Sequence, residues 1–157
     1  AVSTKYLKGR PKHFMNSHAI ASLDAHEILD SRGRPTLEVV LKTAAAVEAT
    51  AQVPSGASTG IHEAHELRDG DPSRHRGLGV LRACENVRTV LAEAVRGVDV
   101  RDQGKIDELL RQADGTPNKS RVGANAILGV SCAAARAAAT VEALPLWRYL
   151  AGSRPAV

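Results

Sequence analysis

From Ala19 to Val53 apolar and polar residues tend to alternate, whereas from Val80 onward apolar residues recur at three- and four-residue spacing. Ile20, Leu23, Ile28 and Leu29 mark a first, imperfectly alternating strand. Asp30-Ser31-Arg32-Gly33 then reads as a turn, because Asp, Ser and Gly each favour one. Asp30 and Arg32 are expected to stabilise that turn. Residues 36–41 predict a second strand, with Leu37, Val39 and Leu41 on one face and Thr36, Glu38 and Val40 on the other. Residues 46–53 predict a third, where Val47, Ala49, Ala51 and Val53 alternate with Glu48, Thr50 and Gln52. Three short strands with tight connections predict an antiparallel meander.

The helical half starts less cleanly. Residues 63–71 are charged and predict a helical start that Gly70 and Pro72 break. Residues 80–95 predict a helix with Val80, Cys84, Val87, Leu91 and Ala94 inward, and Arg82, Glu85, Arg88 and Glu93 facing away. Gly97 ends it. Residues 101–113 predict a second amphipathic helix burying Ile106, Leu109, Leu110 and Ala113. The helix over residues 124–143 carries only Arg136 and Glu142 as charges, which predicts a central position. Asn125 and Ser131 within it read as packing or backbone-satisfying groups. Pro145 opens a short last helix with Leu146, Trp147, Tyr149 and Leu150. Strands followed by helices predict an α+β fold, a three-stranded antiparallel meander followed by a helical layer.

Composition narrows the function classes. A chain of 157 residues can bury one sizeable core. The net charge of +4 points towards nucleic acid until it is located. Lys5, Lys8, Arg10 and Lys12 precede the first acid, Asp24, leaving seventeen of the 21 basic side chains against 17 acidic ones. The excess therefore belongs to residues 1–17, read as a disordered basic leader, with Met15 a candidate start. No nucleic-acid signature lies elsewhere. No apolar run reaches the length of a membrane span, since Gly129, Ser131 and Arg136 interrupt the best candidate. No secretory signal opens the chain, so a cytoplasmic protein is expected. Cys84 and Cys132 read as buried free thiols. The six histidines lack zinc-type spacing.

The densest chemistry lies in Val53-Pro54-Ser55-Gly56-Ala57-Ser58-Thr59-Gly60, with His62-Glu63-Ala64 behind it. Glycine permits close backbone approach and Pro54 sets the angle at which the chain arrives. Such a loop can turn carbonyls, hydroxyls and N–H groups towards a hard cation or a phosphate. A Ser/Gly-rich surface connection has the same composition.

Residues 54–63 and the run Asp30-Ser31-Arg32-Gly33-Arg34-Pro35-Thr36-Leu37-Glu38-Val39 resemble the amino-terminal domain of enolase. Arg68-Asp69-Gly70-Asp71, Asp114-Gly115-Thr116-Pro117-Asn118-Lys119-Ser120 and Gly123-Ala124-Asn125-Ala126-Ile127-Leu128-Gly129-Val130-Ser131 follow the family in order. The resemblance places a domain at residues 18–152 and leaves 153–157 as an exit segment towards a barrel domain. It implies dehydration of 2-phosphoglycerate to phosphoenolpyruvate, with two Mg2+ ions in the complete enzyme. Ser58 would ligate the second magnesium through its side-chain and main-chain oxygens as the loop closes. Ser55, Gly56, Ala57, Ser58, Thr59 and Gly60 would form this lid, Gly56 and Gly60 being its permissive positions. His62 and Glu63 would either support the closed loop or simply begin the next segment.

Glu38 matches a family contact with a dimer partner's barrel, and His26 stands where that interface often has an arginine. Both also fit the solvent face of a strand. The resemblance puts the general base, general acid and carboxylate metal ligands in the barrel, so no catalytic residue is expected in this chain and no turnover from it alone. One hydroxyl and one carbonyl make too few strong ligands for magnesium. The partners implied are substrate, an enolase barrel and a homodimer mate. A non-catalytic interaction protein that pairs with an intact enolase or another partner is the alternative.

Overall fold

The structure, a computed structural model, describes residues 16–56, 60 and 63–154. Strands β1 (Ile20–Leu29), β2 (Pro35–Thr43) and β3 (Glu48–Gln52) form one antiparallel sheet in sequence order. The β1–β2 turn closes through Asp30 N–H to Arg34 O at 2.8 Å and Gly33 N–H to Asp30 O at 2.9 Å. Gly33 sits there at φ 70°, a left-handed conformation that glycine adopts without steric cost. Asp30 Oδ1 also accepts from the Arg32 and Arg34 N–H groups, each at 2.8 Å. The turn-stabilising role read from Asp30 is thus present.

Alternation sorts the sheet as expected. Leu37, Val39 and Leu41 are fully buried, with Ala49, Ala51 and Val53 beside them. Thr36 departs from the pattern: its position on the open face is buried because its hydroxyl donates to Val53 O at 2.5 Å. Below the sheet a helical stretch is α-helical over Leu81–Asn86 (α1), widens to a π turn over Val87–Leu91 and is α-helical again over Ala92–Val95 (α2). Helix α3 (Gln103–Asp114) starts at Asp102, whose carboxylate accepts Lys105 N–H, and ends at Gly115 with φ 71°.

Helix α4 (Ala124–Val141) lies across β2 and β3, and α5 (Leu146–Ala151) closes the described chain. Gly129 sets the approach: a Cβ there would stand 2.6 Å from Val39 Cγ2 and 3.2 Å from Val53 Cγ2. The alanines at 133, 134, 137 and 138 are fully buried, the small-residue packing that close approach requires. At 18 residues and a mean hydropathy of 1.3, α4 does meet the length and composition of a membrane span, contrary to the sequence reading. Its apolarity is explained by the sheet and helices packed around it.

Several expectations need correction. Residues 63–71 form no helix, because their backbone bonds sideways instead: His65 N–H donates to Asn118 O at 2.7 Å, and His65 O accepts Ala124 N–H at 2.8 Å. Arg88 is exposed as expected, yet it reaches back to β1. Its guanidinium donates to Asp24 Oδ1 at 2.8 Å and to the Ala25 carbonyl on the outer edge of β1. Cys84 is buried as expected, but Cys132 is exposed, one α-helical turn beyond exposed Leu128 on the open stripe of α4. Both thiols are free. Asn16 and Ser17, counted with the leader, are hydrogen-bonded to Asp99 and to the Ala45 N–H respectively.

Candidate functional site

The chain leaving β3 is pinned at four atoms before it reaches Gly56. Val53 N–H donates to Leu37 O at 3.0 Å, and Val53 O accepts the Thr36 hydroxyl. Ser55 Oγ donates to Asp30 Oδ2 at 2.5 Å, while Ser55 O accepts from Arg32 Nη2 at 3.3 Å. Asp30 therefore serves two segments with one carboxylate. Its pKa lies well below the ordinary carboxylate value, chiefly through the Ser55 hydroxyl, then through the Arg34 and Arg32 backbone N–H groups and the Arg32 charge.

A second post holds the chain beyond the loop. Glu63 N–H donates to Gly60 O at 3.1 Å, and His65 is bonded on both sides to the 118–124 segment. Leu67 is then held by Asn125: the Leu67 N–H donates to Oδ1 and the Leu67 carbonyl accepts from Nδ2, both at 3.1 Å. Asn125 is 4% exposed and Leu67 6%. Gly123 keeps this contact open, since a Cβ there would stand 2.5 Å from Asn125 Oδ1. Arg68 adds a brace, donating to Pro35 O at 2.6 Å, Leu78 O at 2.7 Å and Glu66 Oε1 at 2.7 Å.

Between the posts a groove of about 580 Å³ opens, with Arg34, Gly56, Gly60, Glu63, His65 and Arg68 on its walls. Of the predicted lid residues, Gly56 and Gly60 line it, with Glu63 beside them, while Ser55 is turned to Asp30. Ala57, Ser58, Thr59 and His62 lie outside the described residues. Among the described residues no group of three or more His, Cys, Asp or Glu could hold a metal ion. The walls combine both signs of charge without gathering the carboxylate oxygens that magnesium requires.

Residues 20–150 match the family described as "Enolase, N-terminal domain". The chain belongs to the enolase family. It is 61% identical over 133 residues to the curated protein "Enolase" of Rubrobacter xylanophilus (strain DSM 9941 / JCM 11954 / NBRC 16129 / PRD-1), an alignment covering 85% of this chain and 31% of that protein. The chain thus spans about a third of the length of that enolase. The three-stranded sheet followed by helices is the α+β fold of the enolase amino-terminal domain.

Within this enolase domain, His26 and Glu38 face one another in register on β1 and β2, on the open side of the sheet. His26 Nε2 lies 3.8 Å from Asp24 Oδ2, and Glu38 Oε2 accepts from Gln52 Nε2 at 2.8 Å. They form one small polar patch outside the groove's lining. Ser131 bonds to Asp107 Oδ1 at 2.7 Å and receives Gln103 Nε2 at 3.0 Å, tying α4 to α3. Sequence reasoning missed the reach of Asp30 to Ser55, of Thr36 to Val53 and of Asn125 to Leu67. Each joins residues 17 to 58 positions apart. Only Asn125 carried a local hint, as a polar residue inside an otherwise apolar helix.

Proposed function

We propose that this chain is the lid-bearing amino-terminal domain of an enolase that dehydrates 2-phosphoglycerate to phosphoenolpyruvate in a cytoplasmic setting. The observation supporting this most directly is the pair of posts, Asp30/Arg32/Thr36 holding Val53 and Ser55, and Asn118/Asn125 holding His65 and Leu67, on either side of the loop at a groove. By the family resemblance, Gly56 and Gly60 would be the permissive positions of such a lid. Its closure over substrate would exclude water and bring the Ser58 oxygens to the charged centre.

The described residues do not fit a magnesium site by themselves, so this domain is assigned positioning and water exclusion rather than metal capture. In the complete enzyme the two magnesium ions would stabilise the doubly charged enolate, and the barrel would hold them and move the protons. His62 and Glu63 would support the closed loop, and Glu38 with His26 would contact a dimer partner.

The test is Ser58→Ala in the chain joined to a matching enolase barrel, measuring phosphoenolpyruvate formation with saturating magnesium. Removing a contact made in the transition state is expected to lower kcat about 100-fold. An undiminished kcat rules out the lid role. The alternative, a non-catalytic partner of an intact enolase, draws on exposed Leu144, Trp147 and Leu150 around α5. Stable co-elution with an intact enolase, together with no turnover in the joined chain, would favour it.

A further inference from the structure

Asp30 and Ser55 are 25 residues apart, and their side chains are joined directly by a hydrogen bond from the start of the loop to the β1–β2 turn. We propose that Asp30 is a positioning residue for the loop, its Oδ1 shaping the β1–β2 turn and its Oδ2 fixing the point at which the loop departs from the sheet. The geometry divides the work cleanly. Oδ1 receives the Arg32 and Arg34 N–H groups at 2.8 Å, which orients the carboxylate, and Oδ2 is left directed at the Ser55 hydroxyl at 2.5 Å. Arg32 completes the grip from the other side. Its guanidinium lies 3.5 Å from Asp30 Oδ2 and donates to Ser55 O at 3.3 Å.

Ser55 is consequently held at its side chain and at its carbonyl, by two residues of one turn. A serine held only by its neighbours in sequence could rotate freely after Pro54. This one cannot rotate without breaking a charge-assisted hydrogen bond, which is stronger than a neutral one. The Ser55 hydroxyl and the two N–H groups also favour the carboxylate's charged form, holding its pKa below the usual carboxylate value. Ser55 is thereby excluded as a pivot of the loop. Ser55 acts as the fixed post. The grip bears on turnover only through the lid reading above.

The obvious variant, Asp30→Ala, also removes the turn's own hydrogen bonds, so Ser55→Ala and Ser55→Thr carry the test. Backbone 15N relaxation of the 157-residue chain reports the order parameters at positions 55 and 56. In the parent and in Ser55→Thr the amide at position 55 is expected near the rigid value of about 0.85, and in Ser55→Ala below about 0.6. The Arg32 and Arg34 amide shifts should hold in all three chains, since Oδ1 keeps its donors. In the barrel-joined enzyme Ser55→Ala should lower kcat/KM about 10-fold, roughly the worth of one such hydrogen bond, with Ser55→Thr restoring it. Unchanged order parameters in Ser55→Ala overturn the proposal, as does a parent already flexible at position 55. A fall in order at position 55 beside a harmless Ser58→Ala upholds the post and removes the lid.

Discussion

Replacing Asn125 with alanine is the most informative single change, because it separates a packing asparagine from one that holds the loop's far end. The side chain is 4% exposed and makes both hydrogen bonds to the Leu67 backbone, at 3.1 Å each. Alanine leaves the Leu67 N–H and carbonyl without partners in a site that is 6% exposed at Leu67. Each buried polar group so abandoned costs about 1–3 kcal/mol. The better helix propensity of alanine returns only about 0.5 kcal/mol at this position of α4. The expected loss is about 2–5 kcal/mol, which for a domain of this size lowers Tm by about 5–15 °C. Calorimetry measures the Tm, and amide exchange at Leu67 reports whether the effect is local. Asn125→Asp is the companion: it keeps an acceptor for the Leu67 N–H but sets an anionic oxygen against the Leu67 carbonyl, and should be no better than alanine at neutral pH. A Tm within about 2 °C of the parent, far below the change expected from the orphaned groups, with an equally protected Leu67 amide, refutes the clamp.

Two further outcomes follow from the ionisable groups. The carboxyls of Asp24, Glu27, Asp30, Asp71, Asp99, Glu108 and Asp114 all have lowered pKa values in the folded chain. Asp114 is lowered even against its desolvation, because Thr116, Val122 and Arg121 donate to it. A group depressed on folding stabilises above its unfolded value and loses that contribution as pH falls through the folded value. The urea midpoint should therefore hold from neutral pH to about 5 and fall steeply below about 4, where unfolded carboxyls titrate; a midpoint flat to pH 2.5 contradicts the assignment. Of the two thiols, Cys132 should react at once with an aromatic disulfide reagent and Cys84 only on unfolding. Burial pushes the Cys84 thiol up to about 11 and removes it from solvent, so two fast equivalents would place the helix wrongly.

Most of the architecture was legible because it rests on periodicity. Leu37, Val39 and Leu41 announce a strand face, and Val87 and Leu91 a helix face, and burial follows both. Where the reading failed, a partner distant in sequence had overridden the local pattern. The charged run from Glu63 looks helical until Asn118, Ala124 and Asn125 take its backbone groups. Arg88 looks solvent-facing until β1 supplies Asp24 and an edge carbonyl. The loop's chemistry was legible as a motif, from its glycines and hydroxyls, but the atoms that hold it were not. Asp30 reads as a turn residue on any local grounds. Its second oxygen finds Ser55 only once β3 has folded back along β2.

The arginine that reaches the rim of β1 has a consequence for the behaviour of the domain in concentrated solution. A three-stranded sheet has two open margins, and an open margin can template an identical molecule. On one margin the 96–100 segment pairs with the start of β1, Ile20 N–H donating to Val98 O at 2.8 Å, and farther along Arg88 occupies the Ala25 carbonyl. The other margin, β3, is only five residues long and alternates exposed Glu48, Thr50 and Gln52 with its buried alanines. Neither rim offers a long, flat, apolar ladder on which further copies could stack. The fold therefore carries its own protection against fibrous self-association, built from one guanidinium, a short return segment and a curtailed strand.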